Sequence, residues 1–329
     1  MATDSHFVAR RSPSGMNRLA HAWQHGDRFY HLLITLAALS VLGLVIAIGY
    51  ELWQSSALSR QAFGVGFLTS TDWDPALEER FGALPFIMGT LVTSFLGLLI
   101  AVPVGLGVAI FLAELSPNWL RQPLGFLVEL LAAVPSVIYG LWGLFLFVPT
   151  VVKPLGQTLS STLGFLPLFA GPIFGPSRLA AGLILAIMIL PTIAAFSRDV
   201  FRAVPNAQRE AALSLGATRW EMIGQVVIPY GLSGVLGAVI LGLGRALGET
   251  IAVTMVIGNN LDLTASLLHP GYTMASLIAN EFTEATYDLY TSALIEIGLI
   301  LFVSTLIINL LARLLIWRVG RRTVTEGRA

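Results

Sequence analysis

Two ionisable residues four apart in an apolar run are the part of this chain best equipped for chemistry: Arg245 and Glu249, within Gly242-Leu243-Gly244-Arg245-Ala246-Leu247-Gly248-Glu249-Thr250. An arginine inside a membrane-spanning helix costs about 2.5–3.5 kcal/mol on insertion scales, so it should face protein or water and serve a function. Its fixed fork of donors suits a tetrahedral oxyanion, two of whose oxygens it can grip at once. At helical spacing i, i+4 the two side chains share a face and fall within pairing reach. Glu249 could then hold Arg245 when no anion is present, or accept a proton from a protonated oxyanion. The alternative is a static pair that only locks helices together.

A second candidate lies in Ala132-Ala133-Val134-Pro135-Ser136-Val137-Ile138-Tyr139-Gly140. Pro135 removes a helix hydrogen bond and should kink or break its span, freeing carbonyls that are tolerated only against protein or a water-filled cavity. Ser136 could then touch an anion, or the kink could simply be filled by neighbouring helices. Glu129 and Glu296 lie near spans and receive no role. The chain has no Cys, which excludes thiol catalysis and cysteine metal sites. Its one Lys, Lys153, follows Val152, so no P-loop lysine is present and no ATP site is expected here.

These residues need a scaffold of long apolar helices. The chain is 55% hydrophobic and 12% charged over 329 residues, against about 25% charged in soluble proteins. Apolar windows predict six spans, at 32–52, 86–113, 123–148, 178–198, 231–257 and 293–317. Lipid leaves the backbone no other partners, so each should be a helix and the fold class is an all-α polytopic membrane protein. Net charge is zero, but with the N-terminus inside, fourteen of the nineteen Lys and Arg residues fall on the cytoplasmic side. Both termini are therefore expected in the cytoplasm of a multi-pass cell-membrane protein.

The first span, preceded by some thirty polar residues and followed by no small-residue cleavage site, reads as a retained anchor. The expected order is a loose cytoplasmic tail at 1–31, the first span, and a periplasmic loop at 53–85 with an amphipathic surface piece. A core of five helices at 86–317 and a cytoplasmic tail at 318–329 complete it. The outer stretch 149–177, rich in Pro and Gly, should be irregular or only briefly helical, and 258–292 is an outer loop with acidic bias. Small residues at Gly244 and Gly248, and at Gly234 and Ala238, would let another helix approach closely, from this chain or a partner.

Between the fourth and fifth spans, 200–230 forms a polar loop on the cytoplasmic side. Pro205 suits the start of a helix continued by Ala207, Glu210, Ala211 and Ala212. Gly216 permits a sharp turn. Thr218 and Glu221 fit a capping box that would begin a second short helix, running until Pro229. The product is a helix–turn–helix knob able to seat in a groove on another protein.

The loop resembles the coupling motif of ABC importer permeases, written E-A-A-x3-G-x9-I-x-L-P. Glu210, Ala211, Ala212, Gly216 and Pro229 match it, while Val226 and Ile228 replace its Ile and Leu. The Gly244–Thr250 run, the Val134–Gly140 run and the segment Thr71-Asp72-Trp73-Asp74-Pro75 narrow the resemblance to phosphate-type permeases, over nearly the whole chain. It implies a type I ABC importer permease fold that carries inorganic phosphate inward. It also implies a separate ATP-binding subunit, with ATP and Mg, docked on Glu210, Ala211, Ala212, Gly216, Ile228 and Pro229. A second, PstA-like permease subunit, an external phosphate-binding protein and membrane lipid are the other implied partners, with no cofactor in this chain and no nucleic acid. The rival readings are an importer for another oxyanion, such as sulfate or molybdate, and a channel or ion-coupled transporter working without an ATPase.

Overall fold

The computed structural model describes the backbone of residues 16–326 and the side chains of residues 30–314 and 316–318. Residues 1–15 and 327–329, parts of the two expected tails, lie outside the described residues. The chain starts with α1 (Met16–Ser55), so the expected loose tail is helical from residue 16. Next come α2 (Ala57–Phe63), α3 (Gly66–Thr69) and the two-residue strands β1 (Trp73–Asp74) and β2 (Arg80–Phe81), paired antiparallel with Trp73 opposite Phe81. Beyond them lie α4 (Leu84–Ile110), α5 (Asn118–Ala132), α6 (Ser136–Trp142), α7 (Lys153–Leu163), α8 (Arg178–Arg202), α9 (Asn206–Ser214) and α10 (Arg219–Met222). The chain finishes with α11 (Ile228–Gly248), α12 (Ile251–Ile257), α13 (Met274–Glu281) and α14 (Asp288–Glu326).

Among the described residues six helical stretches are long and apolar enough to cross a membrane: Tyr30–Ser55, Leu84–Leu115, Ser136–Leu163, Arg178–Arg202, Arg219–Gly248 and Asp288–Arg318. Two depart from the sequence reading. The third span starts at Ser136 rather than 123, because Pro135 sits in extended backbone (φ −58°, ψ 139°) and ends α5 as a separate helix. It also continues to Leu163, where an irregular stretch was expected. Pro149 lies in the π-helical turns Gly143–Val152, which do not use the usual i to i−4 bond, and Pro154 falls where those turns pass into α7.

The fifth span is the second departure: the helix runs unbroken from the knob, Arg219–Gly248, and stops before 257. Pro229 was expected to end the second loop helix, yet it lies near the start of α11, directly after the π-helical turn Ile223–Val227.

Helix α8 is the hub, two-thirds buried along its span, with α4, α5, α11 and α12 packed on it. Small residues make this possible: a Cβ at Gly97 would lie 3.1 Å from Leu185, one at Gly182 2.5 Å from Leu96, and one at Gly234 2.6 Å from Val200. The expected close approach at Gly234 is therefore real. A Cβ at Gly244 or Gly248 would meet no other part of the described chain within 4 Å beyond its own helix. Three apolar clusters result, one along the middle of α8 (Ile184, Met188, Ile189, Ile193) and one near each end of α4, around Phe86 and around Ala109.

Candidate functional site

The Arg245 guanidinium, half-buried near the end of α11, reaches two other spans. Its Nη1 donates to Thr192 Oγ1 on α8 at 3.3 Å and to the carbonyl of Ala132, the last residue of α5, at 3.5 Å. The break at Pro135 explains the second contact, since it strips carbonyls at the end of α5 of their helical donors. Tyr139 OH takes the Leu131 carbonyl at 2.9 Å and Arg245 takes that of Ala132. Ser136 opens the next helix, half-buried and beside this break. Nε and Nη2 of Arg245 make no hydrogen bond to the described residues, leaving much of its fork available to an anion.

Glu249 is not paired with Arg245. Helix α11 ends at Gly248 and Glu249 turns extended, with ψ 122°. Its Oε1 instead accepts from Ala252 N at 3.2 Å, capping α12, and no ion pair joins it to Arg245. The carboxylate is more useful to the unpaired N–H groups of the next helix than to a guanidinium already held by a carbonyl and a hydroxyl. The i, i+4 argument fails because the helix stops between the two residues.

The knob is built as its residues imply. Pro205 caps α9, Gly216 turns the chain at φ +89°, and Thr218 with Glu221 forms a complete capping box, Thr218 N donating to Glu221 Oε2 at 2.7 Å. Glu210, Ala211 and Gly216 are exposed, while Ala212 and Ile228 are half-buried against the cluster of Phe201, Ile223 and Val227. Pro229 is exposed. The tip carries apolar side chains in the open: Leu215 is 89% exposed and Trp220 68%. Leu215 also lines a notch of about 700 Å³, together with Ala211, Ala212, Gly216 and Val226.

Sequence reasoning missed what fastens the knob. Arg209 donates to Glu114 at 2.8 Å, to the Phe201 carbonyl at 2.7 Å and to the Val204 carbonyl, and the ion pair is 14% and 7% exposed. A second fastening, Arg198 to Glu129 at 2.7 Å, ties α8 to α5 and gives Glu129 a partner. The partners lie 95 and 69 residues apart, so only the unusual placement of acids at the edges of apolar runs signals them. Away from the knob, Glu281 Oε2 accepts from Trp73 Nε1 and Tyr290 OH, both at 2.7 Å, and Arg178 pins the 258–273 loop through the Asp262 carbonyl at 2.8 Å.

The chain belongs to the family of binding-protein-dependent transport system inner membrane components, whose model matches residues 105–321. It is 47% identical to the phosphate transport system permease protein PstC of Pasteurella multocida (strain Pm70), over 98% of this chain and all of that one. It is 49% identical to PstC of Mesorhizobium japonicum, over 90% of this chain and 92% of the relative. Among solved structures it resembles a bacterial alginate ABC transporter in complex with a pentasaccharide-bound periplasmic protein, with a TM-score of 0.58 at 18% identity over 88% of this chain and 95% of that one. That likeness is one of fold: an ABC transporter permease, multi-pass in the membrane.

Proposed function

We propose that this chain is a PstC-type membrane-spanning subunit of an ATP-driven importer that moves inorganic phosphate into the cytoplasm. The observation that carries the reading is the knob's place in the chain. It joins α8, which bears Thr192, directly to the helix that bears Arg245, and it presents Leu215 and Trp220 to a partner. By helical rise Thr192 lies about 15 Å from Arg202, the knob end of α8, and Arg245 about 26 Å from Ile228, where α11 leaves the knob. Two stiff levers therefore run from an exposed docking face to the anion-binding arginine.

In this reading the knob lies in the cytoplasm with both termini, which follows from the basic residues concentrated on that side. A separate ATP-binding subunit, carrying ATP and Mg, seats against Leu215, Trp220 and the notch at Ala211, Ala212 and Gly216. A PstA-like permease faces this chain, and an external phosphate-binding protein delivers substrate, in keeping with the binding-protein dependence of the family. Phosphate takes the guanidinium of Arg245 away from the Ala132 carbonyl and Thr192, near Ser136. Tilting of α8 against α11 then re-forms those bonds and releases the anion. Glu249 acts by fixing the start of α12 rather than by pairing with Arg245.

The test is uptake and ATP hydrolysis in proteoliposomes holding the assembled importer. Phosphate should stimulate hydrolysis, and Arg245→Ala should abolish uptake while the complex still copurifies with its ATPase. Disassembly by that variant would favour a locking role, and stimulation by sulfate or molybdate in place of phosphate would move the substrate. Uptake by this chain without an ATPase would overturn the reading.

A further inference from the structure

Glu296, on α14, is 5% exposed; its Oε2 has no partner at hydrogen-bond distance, and the neighbouring Ser59 hydroxyl is likewise buried and unpaired. A buried carboxyl oxygen without a donor is unfavourable, and neither phosphate movement nor coupling uses it. It lines an apolar groove of about 520 Å³ between the α2–α3 segment and α14, with Arg60 beside it. Arg60 spends Nε on Ser56 Oγ at 3.1 Å and Nη2 on the Trp53 carbonyl, and its guanidinium lies 3.6 Å over the Trp53 ring. Its Nη1 donates to none of the described residues.

The groove passes down α14 from Glu296 through Leu299 and Val303 to Ile307, with Leu68 on the facing wall. Eleven residues of helix make about 16 Å, close to the ~15 Å depth of one leaflet's hydrocarbon. The site thus offers one open cationic donor, one buried acceptor lacking a donor, and an apolar channel of acyl-chain length. We propose that it binds one phosphatidylethanolamine, phosphate on Arg60, ammonium on Glu296, and an acyl chain along Leu68, Leu299, Val303 and Ile307.

Headgroup chemistry selects this lipid. A primary ammonium carries N–H donors and a positive charge, so it both pairs with the carboxylate and completes its hydrogen bonding. Phosphatidylcholine has no N–H to give. A purely anionic lipid would satisfy Arg60 but set a negative headgroup against Glu296 and leave Oε2 unpaired.

The assembled importer, equilibrated with equal phosphatidylethanolamine and phosphatidylcholine and then stripped by detergent washing, tests this by native mass spectrometry. One retained phosphatidylethanolamine per complex, favoured at least tenfold over phosphatidylcholine, is expected. Glu296→Leu should abolish the preference. Val303→Trp, placed at a rim position that is 43% exposed, should expel the lipid while leaving the buried groups and the assembly intact. Equal retention of the two lipids, a preference that survives Glu296→Leu, retention unchanged in Val303→Trp, or a wild-type groove occupied by the second permease and holding no lipid would each overturn the proposal. Should Glu296→Leu fail to assemble, Val303→Trp decides.

Discussion

The two ends of α4 are fastened around carboxyl groups by different chemistry. Near Ala109, Glu114 is gripped by the arginine that opens the knob sequence; near Phe86, Glu281 is held by two neutral donors, Trp73 and Tyr290. The neutral end closes on itself, with Trp73 edge-on to Phe81 and Phe86 at 4.9 and 5.0 Å between ring centres. The charged end does the reverse: the clamp frees the tip to carry apolar side chains outward. One end is finished within the chain and the other presents an open apolar tip, where the proposed docking of an ATP-binding subunit would act.

Removing Arg209 should separate the two ends most. Arg209→Ala leaves Glu114 buried and unpaired, a loss of about 3–5 kcal/mol, read as a fall in the melting temperature of the assembled complex. The double variant Glu114→Ala, Arg209→Ala should recover part of that loss, because no orphaned charge remains. Equal stability of Arg209→Ala and wild type would erase the distinction drawn here.

Trp73→Phe keeps an aromatic side chain, though a smaller one, and removes one donor to Glu281, with an expected loss of about 1–3 kcal/mol. Coupling of ATP hydrolysis to uptake should persist, since the knob is untouched; uncoupling by this variant would make the aromatic end part of the drive. Gly216→Val forces a branched side chain into φ +89°, a strain of about 1–2 kcal/mol. Its effect on melting is the smaller of the two, yet it should uncouple hydrolysis from uptake by distorting the docking tip.

The smallest effect is a pH slope confined to the aromatic end. Burial raises the Glu281 carboxyl above the ordinary carboxylate range, against the lowering pull of its bonds from Tyr290 and Trp73. The folded state therefore favours the protonated form. Its contribution is full below the unfolded value and is lost as pH rises through the raised folded value. Glu281→Gln should flatten melting temperature against pH across that window; an unchanged slope would assign it to other groups.

Local signals carried the sequence reading and distant ones escaped it. Pro205, Gly216 and the Thr218–Glu221 box act within a few residues of themselves, so the knob's two helices and turn are legible. The break at Pro135 is local too, although the extra length of its span to Leu163 depends on π-helical turns that no proline rule announces. Arg209 with Glu114 and Trp73 with Glu281 are contacts across the fold, invisible to spacing. The end of α11 lay between the two: the apolar run continues to Ile257, while Gly242, Gly244 and Gly248 were the available sign that the helix weakens before Glu249. Treating that run as one helix produced the mistaken Arg245–Glu249 pair.

The claim that force enters at the knob is tested most directly by Leu215→Asp, with phosphate uptake and ATP hydrolysis measured in the same proteoliposomes of the assembled importer. Leu215 touches little in this chain, so a charge there leaves the fold in place if the tip is solvated and ruins docking if an ATPase covers it. Uptake and phosphate-stimulated hydrolysis should both fall by more than tenfold while the two permeases remain together. Wild-type uptake from Leu215→Asp would contradict that claim.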